Sequence, residues 1–302
     1  MVVAGIGQCS WDYLAEVDSY PGADSKKEVL SWQEQGGGPV ATALVALRRL
    51  GVECGFFGIV GDDGEGGKIR RSLVDEGVEV SSLLSRRGAS SQAAFIAIER
   101  GKGTRTIFWR RPSARALSPE ELPGDFLEGC DFLLLDGLMA EVSVHAAKKA
   151  RDASVPVMLD AGRVRQGMLE AASLSDYVVG SEEFARELGW NGDPESFRPK
   201  AEKLTPGVTT ITLGQRGSVT YSGGEIIEVP AFEVDAVDST GAGDVFHGGY
   251  VYGLLRGWKL SRTVRFASAM AALKCRKLGG RAGIPGLGEV LGFMESQGGS
   301  GA

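Results

Sequence analysis

Residues 238–250 read DSTGAGDVFHGGY and place a run of small residues between two carboxylates, ahead of an apolar stretch. Glycine loses more conformational freedom on folding than other residues, so Gly241, Ala242 and Gly243 indicate a backbone that something approaches closely. The residues before them resemble a strand and those after them have helical spacing. The small residues are therefore predicted at a helix N-terminus, where unpaired N–H groups and the helix dipole favour a bound anion.

Asp244 directly follows these small residues. If the anion is a phosphate in transit, this carboxylate can take the proton of an attacking hydroxyl while the amides stabilise the charge on the transferring group. The alternative is an ordinary helix start, in which Asp244 is a first-turn acid and the glycines permit tight packing. The spacing alone leaves both interpretations open.

The composition is that of a globular domain, with 43% hydrophobic and 24% charged residues among 302. A net charge of −6 supplies no basic field for phosphate backbones, so no nucleic-acid partner is expected. The chain contains no apolar run of membrane-spanning length and no secretory signal pattern, so no membrane partner is expected and the cytoplasm is the expected location. Four scattered cysteines and two histidines argue against a disulfide framework, a zinc site and a Ser-His-Asp hydrolase.

Apolar strands alternate with helical segments along most of the chain, which predicts an α/β fold with a parallel-rich sheet covered by helices on both faces. Two segments depart from this rhythm, at about 12–35 and 93–111, and both are predicted to form strands outside the main sheet. Together they would make a small β-sheet that acts as a lid and keeps water from the site. We expect a single domain over 1–302, two closing helices from Gly241 and over 261–280, and a flexible tail at 296–302.

DSTGAGDVFHGGYV, residues 238–251, resembles the C-terminal signature of the ribokinase/PfkB family of carbohydrate kinases along its whole length. GGGPVATALVALRRLG, residues 36–51, resembles the N-terminal signature of the same family. The resemblance implies a Rossmann-like, ribokinase-like domain with a β lid. It also implies phosphorylation of a hydroxyl of a small sugar or sugar derivative by ATP, with Mg²⁺ as cofactor.

The resemblance assigns roles position by position. Asp244 corresponds to the catalytic base, and Gly241, Ala242 and Gly243 to the anion hole. The other implied positions are Asp12, Gly36 and Gly37 for sugar hydroxyls, Thr212, Gly214, Gly217 and Ser181 on the ATP side, and Asp238 and Thr240 where some members hold a monovalent cation such as K⁺.

Several positions depart from the family pattern. Ala41 stands where a sugar-contacting Asn is usual, and Gly162 replaces the Asn of a D-x-N-x-R motif that ends at Arg163. Ser181 and Phe184 replace the Asn and Glu of an N-x-x-E motif that helps to place magnesium. Two alternatives to a sugar kinase therefore stand: a nucleoside kinase of the same fold, and a catalytically weak, sugar-sensing binding protein. The intact Asp244 favours an active enzyme.

Three segments are similar to the sulfofructose kinase branch of the family: GGGP-x-ATA, GAGDVFHG and RFAS-x-x-AALKC-x-x-x-GGRAGIP. Lys26 matches a lysine that contacts the anionic end of that substrate, whereas Leu138 replaces an expected arginine. Arg110 and Arg111 offer positive charge instead. We predict that Lys26, Arg110 or Arg111 binds a negative group on the substrate. The alternative is that these residues lie at a solvated edge of the lid. An open small sheet also predicts a homodimer through the lid, because its edges and apolar face need cover.

Overall fold

A computed structural model describes residues 2–100 and 105–298. Within these residues the strands form two sheets. In chain order the strands are β1 (Val2–Ile6), β2 (Ser10–Val17), β3 (Ser31–Gly37), β4 (Glu53–Gly61), β5 (Leu83–Arg86), β6 (Ala93–Glu99), β7 (Arg105–Arg110), β8 (Phe132–Leu135), β9 (Val157–Ala161), β10 (Tyr177–Ser181), β11 (Val208–Thr212), β12 (Ser218–Ser222) and β13 (Glu225–Val229).

The larger sheet has the order β13-β12-β11-β10-β9-β8-β1-β4-β5. The strands from β11 to β5 in this order are parallel to one another. At one edge β12 pairs antiparallel with β11, and β13 pairs antiparallel with β12. The strand order reverses between β1 and β8, which opens a crevice at the carboxyl edge where such sheets bind ligands. Asp136 follows β8 in this crevice and accepts hydrogen bonds from the N–H groups of Gln8 (2.7 Å) and Leu138 (3.0 Å).

Helices cover both faces of this sheet, as the alternating pattern predicts. Strand β8 shows why: Leu134 packs into one apolar cluster, whereas Leu133 and Leu135 pack into the cluster on the opposite face. The helices are α1 (Pro39–Arg49), α2 (Gly64–Asp75), α3 (Ala140–Asp152), α4 (Met168–Leu174), α5 (Glu182–Glu187), α6 (Pro194–Leu204), α7 (Ala242–Leu255), α8 (Leu260–Lys274) and α9 (Leu287–Ser296). None of these helices, within the two described ranges, is long and apolar enough to cross a membrane.

Helix α7 is held in the core by close contacts with its neighbours. A Cβ atom on Gly248 would lie 2.7 Å from the carbonyl oxygen of Ala43 in α1, so only glycine permits this approach. Tyr250 is fully buried on the same helix, and its hydroxyl lies 3.1 Å from the hydroxyl of Thr210. Because the body of α7 is fixed on several sides, its first turn has a defined position at the carboxyl edge of the sheet.

The smaller sheet has the order β3-β2-β6-β7 and is built from the two segments that depart from the α/β rhythm. Strands β2 and β6 pair in parallel, and the other two pairs are antiparallel. Leu14 and Ile96 lie opposite each other and join a buried apolar cluster that packs against Leu278. The predicted small sheet is confirmed, while the turn of its 93–111 hairpin, residues 101–104, lies outside the described residues.

Three elements, β5, α6 and α9, were not predicted from the sequence. Strand β5 is short and ends in polar residues. Helix α6 contains Pro199, which argues against a helix, although Asp193 caps its N-terminus through the N–H groups of Glu195 and Ser196. The expectation of two closing helices is wrong, because α9 follows α8, and α8 ends at Lys274 rather than continuing to 280. The predicted tail begins on Ser296, the last residue of α9, and its residues 299–302 lie outside the described part of the chain.

Candidate active site

The first turn of α7 presents an open, donor-lined surface. Gly241 caps the helix with a φ of 72°, and a Cβ atom there would lie 2.9 Å from the Cα of Gly280, so a side chain is excluded. A Cβ atom on Gly243 would meet no atom within 4 Å. Within residues 2–100 and 105–298, no acceptor pairs with the N–H groups of Gly243 and Asp244. These unpaired donors fit an anion such as a terminal phosphate.

Asp244 lies beside this surface with a partly buried side chain. Burial raises the pKa of its carboxyl to about 7, and the nearby Asp160 adds to the rise, while His247 and Arg281 oppose it. No donor in the described part of the chain hydrogen-bonds its carboxylate. A carboxylate with such a pKa and a free lone pair can accept a proton near neutral pH.

Asp12 stands on β2, facing the same cleft. Its Oδ1 accepts a 2.8 Å hydrogen bond from the hydroxyl of Ser10, and its Oδ2 has no donor among the described residues. A Cβ atom on Gly37 would lie 2.1 Å from that Oδ2, which explains the glycine at this position. Burial raises the pKa of Asp12, and its charge contributes to raising that of Asp244. The free oxygen can accept a hydrogen bond from a substrate hydroxyl.

His247 and Asp160 lie at the candidate site, and the sequence analysis did not assign a role to either. The Nδ1 of His247 lies 2.6 Å from the carbonyl oxygen of Gly243, one helical turn earlier, and its Nε2 lies 3.5 Å from Oδ1 of Asp160. The imidazole therefore connects the anion-binding turn to strand β9. The spacing of Gly243 and His247 within one helix was the available signal, but nothing local connects the histidine with Asp160.

Arg281 is the second charged residue that was missed. Its side chain is buried and donates to the hydroxyls of Thr42 in α1 (3.3 Å) and Ser72 in α2 (3.3 Å), and to the carbonyl of Gly37 (3.1 Å). Burial lowers the pKa of this guanidinium to about 10. Arg281 thereby fixes the 36–37 glycine turn against two helices, which makes it a positioning residue.

The residues assigned to the nucleotide side lie together at the carboxyl ends of β10 and β11. Ser181 and Thr212 are register partners in these strands. The hydroxyl of Ser181 caps α5 by accepting from the N–H of Phe184 (3.1 Å), and it donates to the carbonyl of Gly162 (2.7 Å). Phe184 itself is fully buried, so position 184 contributes nothing to the cleft.

Gly214 and Gly217 bound the turn between β11 and β12. Their φ angles of 59° and 89° lie in the left-handed region that favours glycine. A Cβ atom on Gly217 would lie 2.0 Å from the carbonyl oxygen of Val229, whereas Gly214 has open space beside it. The turn leaves a backbone surface open at Gly214, beside the end of Thr212.

The three cations proposed to read a negative group differ in their surroundings. Arg110 points at the start of α2, where its Nη2 lies 3.4 Å from Asp63 and 3.8 Å from Glu65. Arg111 stacks 5.3 Å above the ring of Trp109. Lys26 lies in the exposed connection between β2 and β3, and no hydrogen bond or ion pair joins it to a site residue in the described ranges.

Asp238 and Thr240 form a closed turn ahead of Gly241. The fully buried Asp238 accepts from the N–H (2.9 Å) and hydroxyl (2.7 Å) of Thr240 and from the N–H of Gly279 (2.8 Å). Its main-chain carbonyl accepts from the ammonium of Lys274 at 2.7 Å. Every oxygen of Asp238 therefore has a protein donor.

Known proteins match this chain along its whole length. The model of the pfkB family carbohydrate kinases matches residues 2–286. The ATP-dependent ribose-1-phosphate kinase of Halopiger xanaduensis is 27% identical over 298 residues, 98% of each chain, and the ribokinase of Bacillus subtilis is 29% identical over 290 residues, 94% of this chain and 96% of that protein. A putative ribokinase from Agrobacterium tumefaciens has a similar structure, with a TM-score of 0.89 at 27% identity over 98% of both chains.

Kinases of this family transfer a phosphoryl group from ATP, with Mg²⁺, to an alcohol group of the acceptor. The two signature segments, the ribokinase-like sheet order and the donor-lined turn with its adjacent carboxylate agree with that assignment. The chain belongs to the pfkB family of carbohydrate kinases.

Proposed function

We propose that this enzyme transfers the terminal phosphoryl group of ATP to a hydroxyl of a small sugar or sugar derivative, with Asp244 as general base. One observation carries the proposal: the unpaired N–H groups at the head of α7 lie directly beside a carboxylate that has no donor of its own. Asp12 lies close enough for its charge to affect Asp244. A hydroxyl bound at Asp12 would thus lie near both the base and the phosphate.

Each of these residues has a separate role in the proposed in-line transfer of the phosphoryl group. Asp12 accepts a hydrogen bond from a substrate hydroxyl and orients the sugar, while Arg281 holds the adjacent Gly37 in place. Asp244 takes the proton of the attacking hydroxyl as its oxygen bonds to phosphorus and the bond to the ADP oxygen breaks. The N–H groups of Gly243 and Asp244 donate to the oxygens of the transferring group, where charge develops.

Mg²⁺, when bound, neutralises phosphate charge and orients the phosphates. Among residues 2–100 and 105–298, no group of three His, Cys, Asp or Glu side chains could hold a metal ion. This fits a magnesium ion that is held mainly by phosphates and water, with one or two carboxylates. Because Phe184 is buried in the core, we propose Asp160, which lies beside Asp244 and lacks a hydrogen-bond donor in the described chain, as the carboxylate that would hold it.

We also propose that the acceptor carries a negative group. The relative from Halopiger xanaduensis is named for a sugar phosphate, which supports an anionic substrate here. Arg110 is compensated by Asp63 and Glu65, so Arg111 and Lys26 are better suited to read this group. A sulfonate, as in the sulfofructose kinase branch, and a phosphate would both satisfy them. A nucleoside is the alternative acceptor.

A substrate panel tests this function. ADP release is measured with neutral sugars, sugar phosphates, sugar acids, sugar sulfonates and nucleosides, and the product is identified by mass spectrometry. We expect turnover with an anionic sugar and none with nucleosides. Turnover with nucleosides would replace the sugar proposal, and thermal shifts by sugars without ADP release from any acceptor would favour a binding protein.

We further propose a homodimer through the small sheet, in the cytoplasm where ATP is available. One face of this sheet carries an aromatic ladder in which Trp32 lies 5.8 Å from Phe95, and Phe95 lies 6.3 Å from Phe108. Phe108 is 62% exposed and Trp32 53%. Exposed apolar patches of this kind mark interaction surfaces. Sedimentation should give a dimer that Phe108→Lys dissociates; a wild-type monomer at tens of micromolar protein would contradict this.

A further inference from the structure

Lys274, the last residue of α8, places a charged group where the sequence analysis expects a monovalent cation. Its side chain is fully buried, and its ammonium donates to the main-chain carbonyl of Asp238 at 2.7 Å. The surrounding backbone is fixed as well, because the N–H groups of Val237 and Asp238 both donate to the carbonyl of Cys275. Burying an ammonium is costly unless it has partners, so this placement requires a compensating interaction.

The oxygens that Asp238 could offer to K⁺ already have protein donors. Its main-chain carbonyl accepts from Lys274. The carboxylate is engaged on both oxygens by Thr240 and Gly279. An ammonium has the charge of K⁺ and a similar size, so it can satisfy the same carbonyl.

We infer that the Lys274 ammonium is a covalently attached substitute for the monovalent cation, and that it holds the 238–240 turn ahead of the anion-binding glycines. The inference rests on the proposed kinase function, because it concerns how that site is held. The charges of Asp238 and Asp244 both favour the charged lysine, whereas burial and Arg105 oppose it. Lys274 is a positioning residue: it contacts the turn that leads into Gly241 and need not contact substrate.

The consequence is catalysis that does not depend on K⁺. A fixed ammonium keeps the carbonyl of Asp238 oriented and adds positive charge behind the head of α7. Replacement of Lys274 by Met removes the ammonium and leaves the carbonyl without its donor, while the methionine still fills most of the side-chain volume. The space left by the ammonium can then admit a small monovalent cation such as K⁺ or NH₄⁺ from solution.

The test compares wild-type protein with Lys274→Met in buffers whose only monovalent cation is tetramethylammonium, Na⁺ or K⁺. Wild-type kcat should vary less than about twofold, whereas Lys274→Met should lose on the order of 10- to 100-fold in tetramethylammonium and recover part of it in K⁺. Lys277→Met, at an exposed lysine close in sequence, is the matched control. Lys274→Arg keeps the charge and should stay independent of K⁺.

A second readout separates this inference from the proposed function. The Tm of wild-type protein should be the same in Na⁺ and K⁺, while the Tm of Lys274→Met should rise with K⁺ because a bound cation stabilises the folded state. These measurements remain decisive even if no acceptor is turned over. Activation or thermal stabilisation of the wild type by K⁺, at constant ionic strength, would overturn the inference, as would a Lys274→Met variant that is fully active in tetramethylammonium. A Lys274→Met variant that does not fold leaves the wild-type comparison to decide.

Discussion

Asp238 and Asp244 stand at the two ends of one short turn, yet their surroundings are opposite. Asp238 is fully buried, and three hydrogen bonds from protein donors saturate its carboxylate. Asp244 is partly exposed, has no hydrogen-bond donor among the described residues, and has a pKa raised to about 7 by burial and by Asp160. The number of donors, rather than the residue type, distinguishes the structural carboxylate from the one that we propose as the base.

The comparison extends to the cations near each acid. Lys274 bonds directly to the main chain of Asp238, whereas no Lys, Arg or His forms an ion pair with Asp244 in residues 2–100 and 105–298. A direct ion pair would lower the pKa of Asp244 and weaken it as a base. Lys274 therefore holds the Asp238 end of the turn, whereas the carboxylate of Asp244 at the other end has no such partner and can accept a proton.

The largest effect should follow from Asp244→Asn. This change removes the proton acceptor and keeps the shape of the side chain, so kcat should fall on the order of 10²- to 10⁴-fold. The Kd for ATP, measured by calorimetry, should be nearly unchanged because proton transfer alone is lost. Asp235→Asn, at an exposed position before the turn, is the control and should retain full turnover. An Asp244→Asn enzyme with more than about a tenth of wild-type turnover would show that another group is the base.

Gly243→Ala should give the next largest loss. The added methyl group enters the open space in which a phosphate would lie, so kcat should drop on the order of 10- to 100-fold. Alanine favours helix by up to about 1 kcal/mol over glycine, so the Tm should stay equal or rise. Gly67→Ala in α2, another helical glycine with open space beside it, should change neither property much. Unimpaired kinetics in Gly243→Ala would place the phosphate elsewhere.

Stability should change in opposite directions when each acid is neutralised. Asp238→Asn places an amide against donors and should lower the free energy of unfolding by about 1–3 kcal/mol. The folded pKa of Asp244 lies above the unfolded value of about 3.9, so its contribution to stability falls as pH rises from about 4 to 7. Asp244→Asn removes this cost and should raise the free energy of unfolding at pH 8. Urea unfolding at pH 8 measures the free energy of unfolding of both variants. Equal losses in the two variants would show that the two carboxylates do not differ in their contribution to stability.

The smallest effect should appear in the pH profile. Proton transfer to Asp244 requires its ionised form, so kcat/KM should rise with pH about a midpoint near 7. Burial is the main cause of this raised pKa, and Asp160 adds to it. Asp160→Asn removes a negative charge and should move the midpoint down. Because Asp160 is also the carboxylate proposed to hold Mg²⁺, the profiles are compared at saturating Mg²⁺, and a fall in kcat is scored separately from the midpoint. A midpoint that stays in place, or moves up, would show that the charge of Asp160 does not act on the base.

Local signals were sufficient for the α/β fold and for the head of α7. The alternation of apolar strands with helices predicted the large sheet, and Gly241 and Gly243 with Asp244 predicted the open turn, because both signals are contained in short segments. Helix α6 was missed because Pro199 argues against a helix, although Asp193 caps its N-terminus and Phe197 packs into the core. Tertiary packing outweighed local propensity there.

The supporting residues of the site could not be predicted, because their roles depend on contacts between distant segments. Lys274 reads as an ordinary basic residue in the last turn of a helix. Only the fold buries it and brings its ammonium to Asp238. Arg281 likewise donates a hydrogen bond to the carbonyl of Gly37, which lies 244 residues earlier in the sequence. Position 184 shows the converse: the sequence departs there from a motif that helps to place magnesium, and the fold buries the phenylalanine in the core.

The most direct test of the central claim is a crystal structure of Asp244→Asn with ATP, Mg²⁺ and the acceptor found by the substrate panel. The terminal phosphate should lie about 3 Å from the main-chain nitrogen of Gly243, with the acceptor hydroxyl between phosphorus and the side chain at position 244. A phosphate bound away from the head of α7, or a hydroxyl out of reach of position 244, would contradict the account.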